Sequence, residues 1–112
     1  MEFSTKIRFA DEKLKKSFEE LKYSKTEDKN LYEWISKALK ELEINSFCGI
    51  QIPKRLIPKE YYKKFGNLDN LWKYNLPNGW RLIYFVVNNE VCIVSVVIEW
   101  LKHKDYERRF GY

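Results

Sequence analysis

Phe3, Thr5, Ile7 and Phe9 alternate with Ser4, Lys6 and Arg8, a period of two that predicts a first strand with one wet face. Asp11 is placed to cap a helix, because Leu14, Phe18 and Leu21 then recur at helical spacing. After the polar break Ser24–Lys29, with Thr26 or Asp28 as the next cap, Leu31, Ile35, Ala38, Leu39 and Leu42 form a second helical stripe ending near Asn45. Two helices with a tight connection predict an antiparallel helical hairpin. From residue 46 to 68 no long regular element is expected, because Gly49, Pro53 and Pro58 interrupt it. Pro58 suits the start of a short helix Lys59–Phe65, and Gly66 its stop.

Strands are expected over Leu71–Leu76, Trp80–Val87 and Glu90–Glu99, with Asn88-Asn89 as the second turn. The first turn, Pro77-Asn78-Gly79, suits a three-residue hairpin loop made of a type I turn and a left-handed glycine. That odd loop length pairs Leu76 with Trp80 and Asn75 with Arg81. Trp72, Tyr74, Leu76, Trp80, Leu82 and Tyr84 then share one face, against the helices. Lys73, Asn75, Arg81, Ile83 and Phe85 share the other. The expected architecture is α+β: a mostly antiparallel twisted sheet, an N-terminal helical hairpin packed on one face, and the other face concave and basic. No linker or repeat divides residues 1–112, so they form a single domain.

Charge adds a direction to this pattern. The chain has 112 residues and a formal net charge of +5. Residues 1–49 hold ten Lys/Arg and ten Asp/Glu, whereas residues 50–112 hold eleven and six. The positive field therefore belongs to the sheet, loop and tail, and a polyanion is its natural partner. The loop contributes Lys54, Arg55, Lys59, Lys63 and Lys64. No apolar run approaches a membrane span, and the start of the chain lacks the basic-then-apolar pattern of a signal peptide, so a cytoplasmic location is expected. Two cysteines and one histidine are too few for a disulfide framework or an ordinary zinc site, and no cofactor is implied.

Arg81 interrupts an apolar strand start, which would hold its stem and fix its guanidinium for bidentate phosphate binding. The alternative is a surface arginine paired with Glu99 or Asp69. Lys73 shares its face, and a second cation there would stabilise a pentacoordinate phosphorus. His103, the one histidine, is of the residue type suited to proton transfer near neutrality, and Lys104 lies beside it. Tyr106, three positions on, either stacks on an exposed base or covers the sheet edge with Phe110. The chain has no Gly-rich phosphate loop, no Ser-His-Asp order and no paired carboxylates in an apolar cleft, which leaves nucleotide hydrolysis, acyl transfer and glycoside chemistry without support.

In these residues the chain resembles the RelE/ParE superfamily of small toxins from type II toxin–antitoxin systems. The resemblance covers nearly the whole chain in element order. It is most specific in the run from Leu71 to Tyr84, with its leucine, turn, glycine, aromatic, arginine and tyrosine, and in His103-Lys104-Asp105-Tyr106. The resemblance implies a metal-independent endoribonuclease that cleaves mRNA in the ribosomal A site and is restrained by a cognate antitoxin protein. By the same resemblance Arg81 grips the scissile phosphate and Lys73 is one of the lysines of the preceding strand. His103 or Lys104 serves proton transfer or charge stabilisation, and Tyr106 stacks on or orients the base. The basic loop and Arg108-Arg109 would hold RNA backbone. Asn75 departs from the pattern, since some members carry a second strand lysine there. Two alternatives stay open: a toxin of the same fold that poisons DNA gyrase, and an RNA-binding module without catalysis.

Overall fold

The computed structural model describes residues 4–88 and 92–111. Phe3, Asn89 of the second turn, and Glu90 and Val91 of the last expected strand lie outside the described residues.

The strand with the strongest demand for cover is β5, Cys92–Leu101. Ser95, Val96, Val97 and Ile98 are all buried there, so both faces of this strand are apolar and need a layer against them. It also needs a neighbour on each side. Strand β4, Arg81–Asn88, pairs with it antiparallel, and β1, Ser4–Phe9, pairs with it parallel, from Ser4 opposite Cys92 to Phe9 opposite Val97. Half-wet β1 can take an edge, whereas β5 cannot. Strand β3, Trp72–Asn75, continues the meander, and β2, Ile50–Gln51, forms the far edge, giving the order β1-β5-β4-β3-β2.

The fold is therefore α+β with a five-stranded mixed sheet, and the expected architecture needs correction at three points. The sheet is mixed, because β1, whose partner the sequence left open, runs parallel beside β5, while the other three pairs are antiparallel. The helical pair is not N-terminal, because α1, Glu12–Leu21, and α2, Thr26–Ile44, follow β1 as the crossover out of it. These helices bury Phe18, Leu31, Ile35, Ala38 and Leu42 against Leu76, Leu82, Tyr84 and Val97 of the sheet. Each of the leucine, isoleucine and phenylalanine side chains taken out of water contributes about 1.5–3 kcal/mol before entropy is counted.

The opposite face, expected to be concave and basic, is covered by two more helices. Helix α3, Lys59–Phe65, and helix α4, His103–Phe110, lie over it. Tyr61, Tyr106 and Phe110 close a second core with Ile83, Val96, Ile98 and Leu101. The reason is the composition of β4 and β5 on that side, whose apolar side chains would otherwise face water. Much of the basic charge of the second half is thus carried on helices and loops above that face, with Lys73 and Arg81 on the strands beneath them.

Local chemistry matches the sequence in most places. The Asp11 carboxylate accepts from the Leu14 amide at 2.7 Å and caps α1. Gly66, at φ +79°, ends α3. Helix α2, however, starts after Lys25 with no side-chain cap, so neither Thr26 nor Asp28 serves that role. The Pro77-Asn78-Gly79 loop sets the expected register, with Asn75 opposite Arg81 and the Leu76 amide donating to Trp80 O at 2.9 Å. Its turn is of another type, since Asn78 as well as Gly79 is left-handed (φ 58° and +79°). Asparagine tolerates that region better than most residues. The Asn70 side chain extends the β3–β4 ladder beyond β3: its Oδ1 accepts from the Val86 amide and its Nδ2 donates to Val86 O.

Tyr84 ties the end of α2 to the sheet. Its buried hydroxyl donates to Ser46 O at 2.9 Å and accepts from the Gly49 amide at 3.1 Å. A Cβ at Gly49 would fall 2.5 Å from that hydroxyl and 2.6 Å from Lys73 O, while one at Gly66 would meet nothing within 4 Å. Gly49→Ala is therefore expected to cost about 3 kcal/mol through a backbone clash and the loss of the Tyr84 bonds, and Gly66→Ala about 1 kcal/mol through φ alone. Urea denaturation of both variants checks this; equal losses would remove the role given to the close approach.

Candidate functional site

The register of β3 and β4 decides which side chains meet α4. Lys73 lies opposite Ile83 and Arg81 opposite Leu101, both on the α4 side of the sheet. A bulge in β5 matters here. Ile83 pairs with Glu99 but Tyr84 with Val97, so Ile98 is the extra residue. It turns Glu99 to the α4 side, where strict alternation from Val97 would have sent it to the other.

Helix α4 begins directly after β5 and turns Tyr106 and Phe110, one helical turn apart, onto the sheet. Tyr106 is 4% exposed and its ring stacks on Phe110 at 4.6 Å. Two cations converge on the same ring: Lys73 Nζ lies 5.0 Å from its centroid and Arg81 Cζ 5.5 Å. Lys73 Nζ also donates to the Tyr106 hydroxyl at 3.1 Å. Arg81 donates from Nη1 to Trp80 O at 3.2 Å, and its buried Nε has no hydrogen-bond partner among the described residues. Among the described residues neither Arg81 nor Lys73 makes an ion pair, which removes Glu99 and Asp69 as partners of Arg81. Two like charges held on one ring without a carboxylate form a site that an anion would relieve.

Glu99 is engaged elsewhere. Its carboxylate accepts from the Tyr61 hydroxyl and lies 3.7 Å from Arg109. Burial, then the hydrogen bond to Glu99, pushes the Tyr61 phenol far above its ordinary range. Arg109 also pairs with Glu60 at 3.0 Å and lies over the Tyr61 ring, so it clamps α4 to α3 and β5. Sequence reasoning missed this network. Its one legible signal was a carboxylate, Glu99, inside an apolar strand.

The remaining expected residues spread around this centre. His103 is exposed, pairs with Glu107 one turn on, and stands against the hairpin tip, where a Cβ on Gly79 would be 3.1 Å from its own Cβ. It therefore sits on the outer side of α4, while Tyr106 faces the sheet. Lys104 is exposed beside it, and Arg108 lies 3.8 Å from Asp105. Lys54 and Arg55 lie in an exposed 3-10 turn, and Lys59, Lys63 and Lys64 on the outside of α3.

Comparison with family models, with curated proteins and with solved structures returns no match.

The site thus stands on its own geometry. Among the described residues no group of His, Cys, Asp and Glu is arranged to hold a metal, and no helix is long and apolar enough to cross a membrane. With Tyr106 buried, its ring is not available to stack on a base; it holds Lys73 and Arg81 in place instead.

The Tyr61–Glu99 bond has a consequence at high pH. A tyrosine in the unfolded chain ionises near pH 10, and folded Tyr61 stays protonated well beyond that. Its contribution is fully present below about pH 10 and is lost as pH rises above it. Tyr61→Phe should therefore make the decline in unfolding free energy above pH 10 shallower by about 1.4 kcal/mol per pH unit. Chemical denaturation from pH 9 to 11 measures this, and parallel curves would show that Tyr61 ionises freely in the fold.

Proposed function

We propose that this chain is an endoribonuclease toxin of the RelE/ParE kind. It cleaves mRNA in the ribosomal A site, works in the cytoplasm, and is restrained by a cognate antitoxin protein. The observation that carries this reading is the pair Arg81 and Lys73 on the Tyr106 ring, with no carboxylate partner for either among the described residues. Such a pair fits a phosphodiester and is worth more as charge develops on the phosphoryl oxygens in the transition state.

In the proposed reaction the 2′-hydroxyl oxygen attacks the adjacent phosphorus and its proton passes to a base. The new O–P bond closes a 2′,3′-cyclic phosphate. The bond to the 5′ oxygen breaks, and that oxygen takes up a proton. Arg81 holds the non-bridging oxygens with the fork of its guanidinium, and Lys73 adds a point charge beside it. His103 or Lys104, at the start of α4, serves the proton transfers or the charge. Lys54, Arg55, Lys59, Lys63, Lys64 and Arg108 hold RNA backbone by a salt-sensitive attraction. Arg109, tied to Glu60 and Glu99, acts as a strut more than as a contact.

One observation favours a second reading, RNA binding without cleavage. Glu99 is occupied by Tyr61 and Arg109, and Lys73 is bound to Tyr106, so the base must come from the rim of the site.

Cell-free translation of a reporter mRNA, with new 5′ ends mapped by primer extension, separates the two. Arg81→Ala should lower cleavage by about 100- to 1,000-fold, the usual effect of removing one transition-state donor, while far-UV circular dichroism stays unchanged. New ends in the wild type that survive the substitution would detach cleavage from Arg81. Their absence in the wild type, with RNA still bound, would leave the binding module.

A further inference from the structure

A second site lies at the hairpin tip, lined by Trp80 and the start of α4. A groove of about 370 Å³ opens between the tip, the start of α4 and the start of α2. That volume falls in the range of small-ligand sites, about 300–1,000 Å³. Trp80, only partly buried, and Asn78 form its hairpin wall. Lys102, His103, Lys104 and Arg108 supply cationic or protonatable groups, against Glu27 and Asp105. Asp105 is already turned toward Arg108, at 3.8 Å.

Two features make this more than a basic surface. The first is the indole. Trp80 lines the groove, and Lys102 Nζ, at the end of an exposed, long side chain, lies 5.5 Å from its ring centroid. The second is the helix start. No side chain caps α4, and its first intrahelical bond of this kind runs from the Tyr106 amide to Lys102 O at 2.8 Å. The amides of His103, Lys104 and Asp105 therefore precede the helical ladder and are of the type that receives an anion. An aromatic plane beside an anion-binding helix start matches one nucleotide, base and phosphate together.

We propose that this groove is a nucleotide subsite for single-stranded RNA. An unpaired base stacks on Trp80, displacing the Lys102 ammonium, and its phosphate lies at the start of α4 with Lys102 and Lys104. The subsite deepens the RNA-cleaving reading and rests on it for the identity of the polymer. It also gives base stacking to a residue whose ring can be reached, which Tyr106 cannot do.

The test measures binding alone. A fluorescently labelled eight-nucleotide single-stranded RNA is titrated with wild type, Trp80→Phe and Trp80→Leu, and inorganic polyphosphate, which has charge but no bases, is the competitor. Stacking on an aromatic side chain is worth about 5- to 150-fold per base. Trp80→Leu should weaken RNA binding about tenfold, in the lower part of that range, while Trp80→Phe retains most of it and polyphosphate competes equally with all three proteins. RNA affinity unchanged in Trp80→Leu would overturn the proposal, and so would an equal loss for RNA and polyphosphate. Because Trp80 also touches the core on the α1–α2 side, the exposed substitution Lys104→Glu is measured in parallel. It should weaken RNA and polyphosphate alike and flatten the salt dependence; no change would remove the phosphate half of the subsite. Binding that depends on Trp80, with mRNA left uncut in translation, keeps the subsite and sinks the nuclease. Cut mRNA with Trp80→Leu binding unchanged does the reverse.

Discussion

A strand that is apolar on both faces has to be covered twice, and β5 imposes that condition on the whole molecule. Val97 on one side requires α1 and α2; Val96, Ile98 and Leu101 on the other require α3 and α4. The same demand moves β1 to an edge and makes the sheet mixed. It also explains why the basic segments stand where they do. Once α3 and α4 have turned their aromatic residues inward, their lysines and arginines can only point out, around the ends of the hairpin.

Electrostatics at the Arg81 cluster follow from how the acids are used. Glu99 is turned to the α4 side by the bulge at Ile98, and there it is taken up by Tyr61 and Arg109. Had it been left beside Arg81, the guanidinium would have been neutralised within the chain and would offer little to an external anion. Tyr106 performs the complementary task with a neutral group. Its ring face and hydroxyl steady two cations without cancelling either charge.

Much of this was legible in the residues. The alternation around Trp72–Tyr74 and Leu82–Tyr84, with an odd loop between, determines the register, so the pattern alone puts Lys73 and Arg81 on the correct face. The Asp11 cap and the Gly66 stop were equally local. What escaped was non-local. Strand β2 is two residues long and exists only because β3 offers it an edge. The direction of β1 depends on a partner at the other end of the chain. Whether Tyr106 faces water or sheet depends on the path of α4, which spacing from His103 does not determine. The bulge at Ile98 has no signature in an otherwise continuous apolar run.

The pairing of Ser4–Phe9 with Cys92–Val97 bears on how this protein is made. Strand β1 has no strand neighbour until β5, which begins at Cys92, has been made. During synthesis β1, with Ile7 and Phe9 still uncovered, can rest only on the two helices that come after it. The meander can assemble strand by strand, but the sheet is completed only when β1 joins β5. A chain interrupted before β5 would therefore expose the first strand as an open edge.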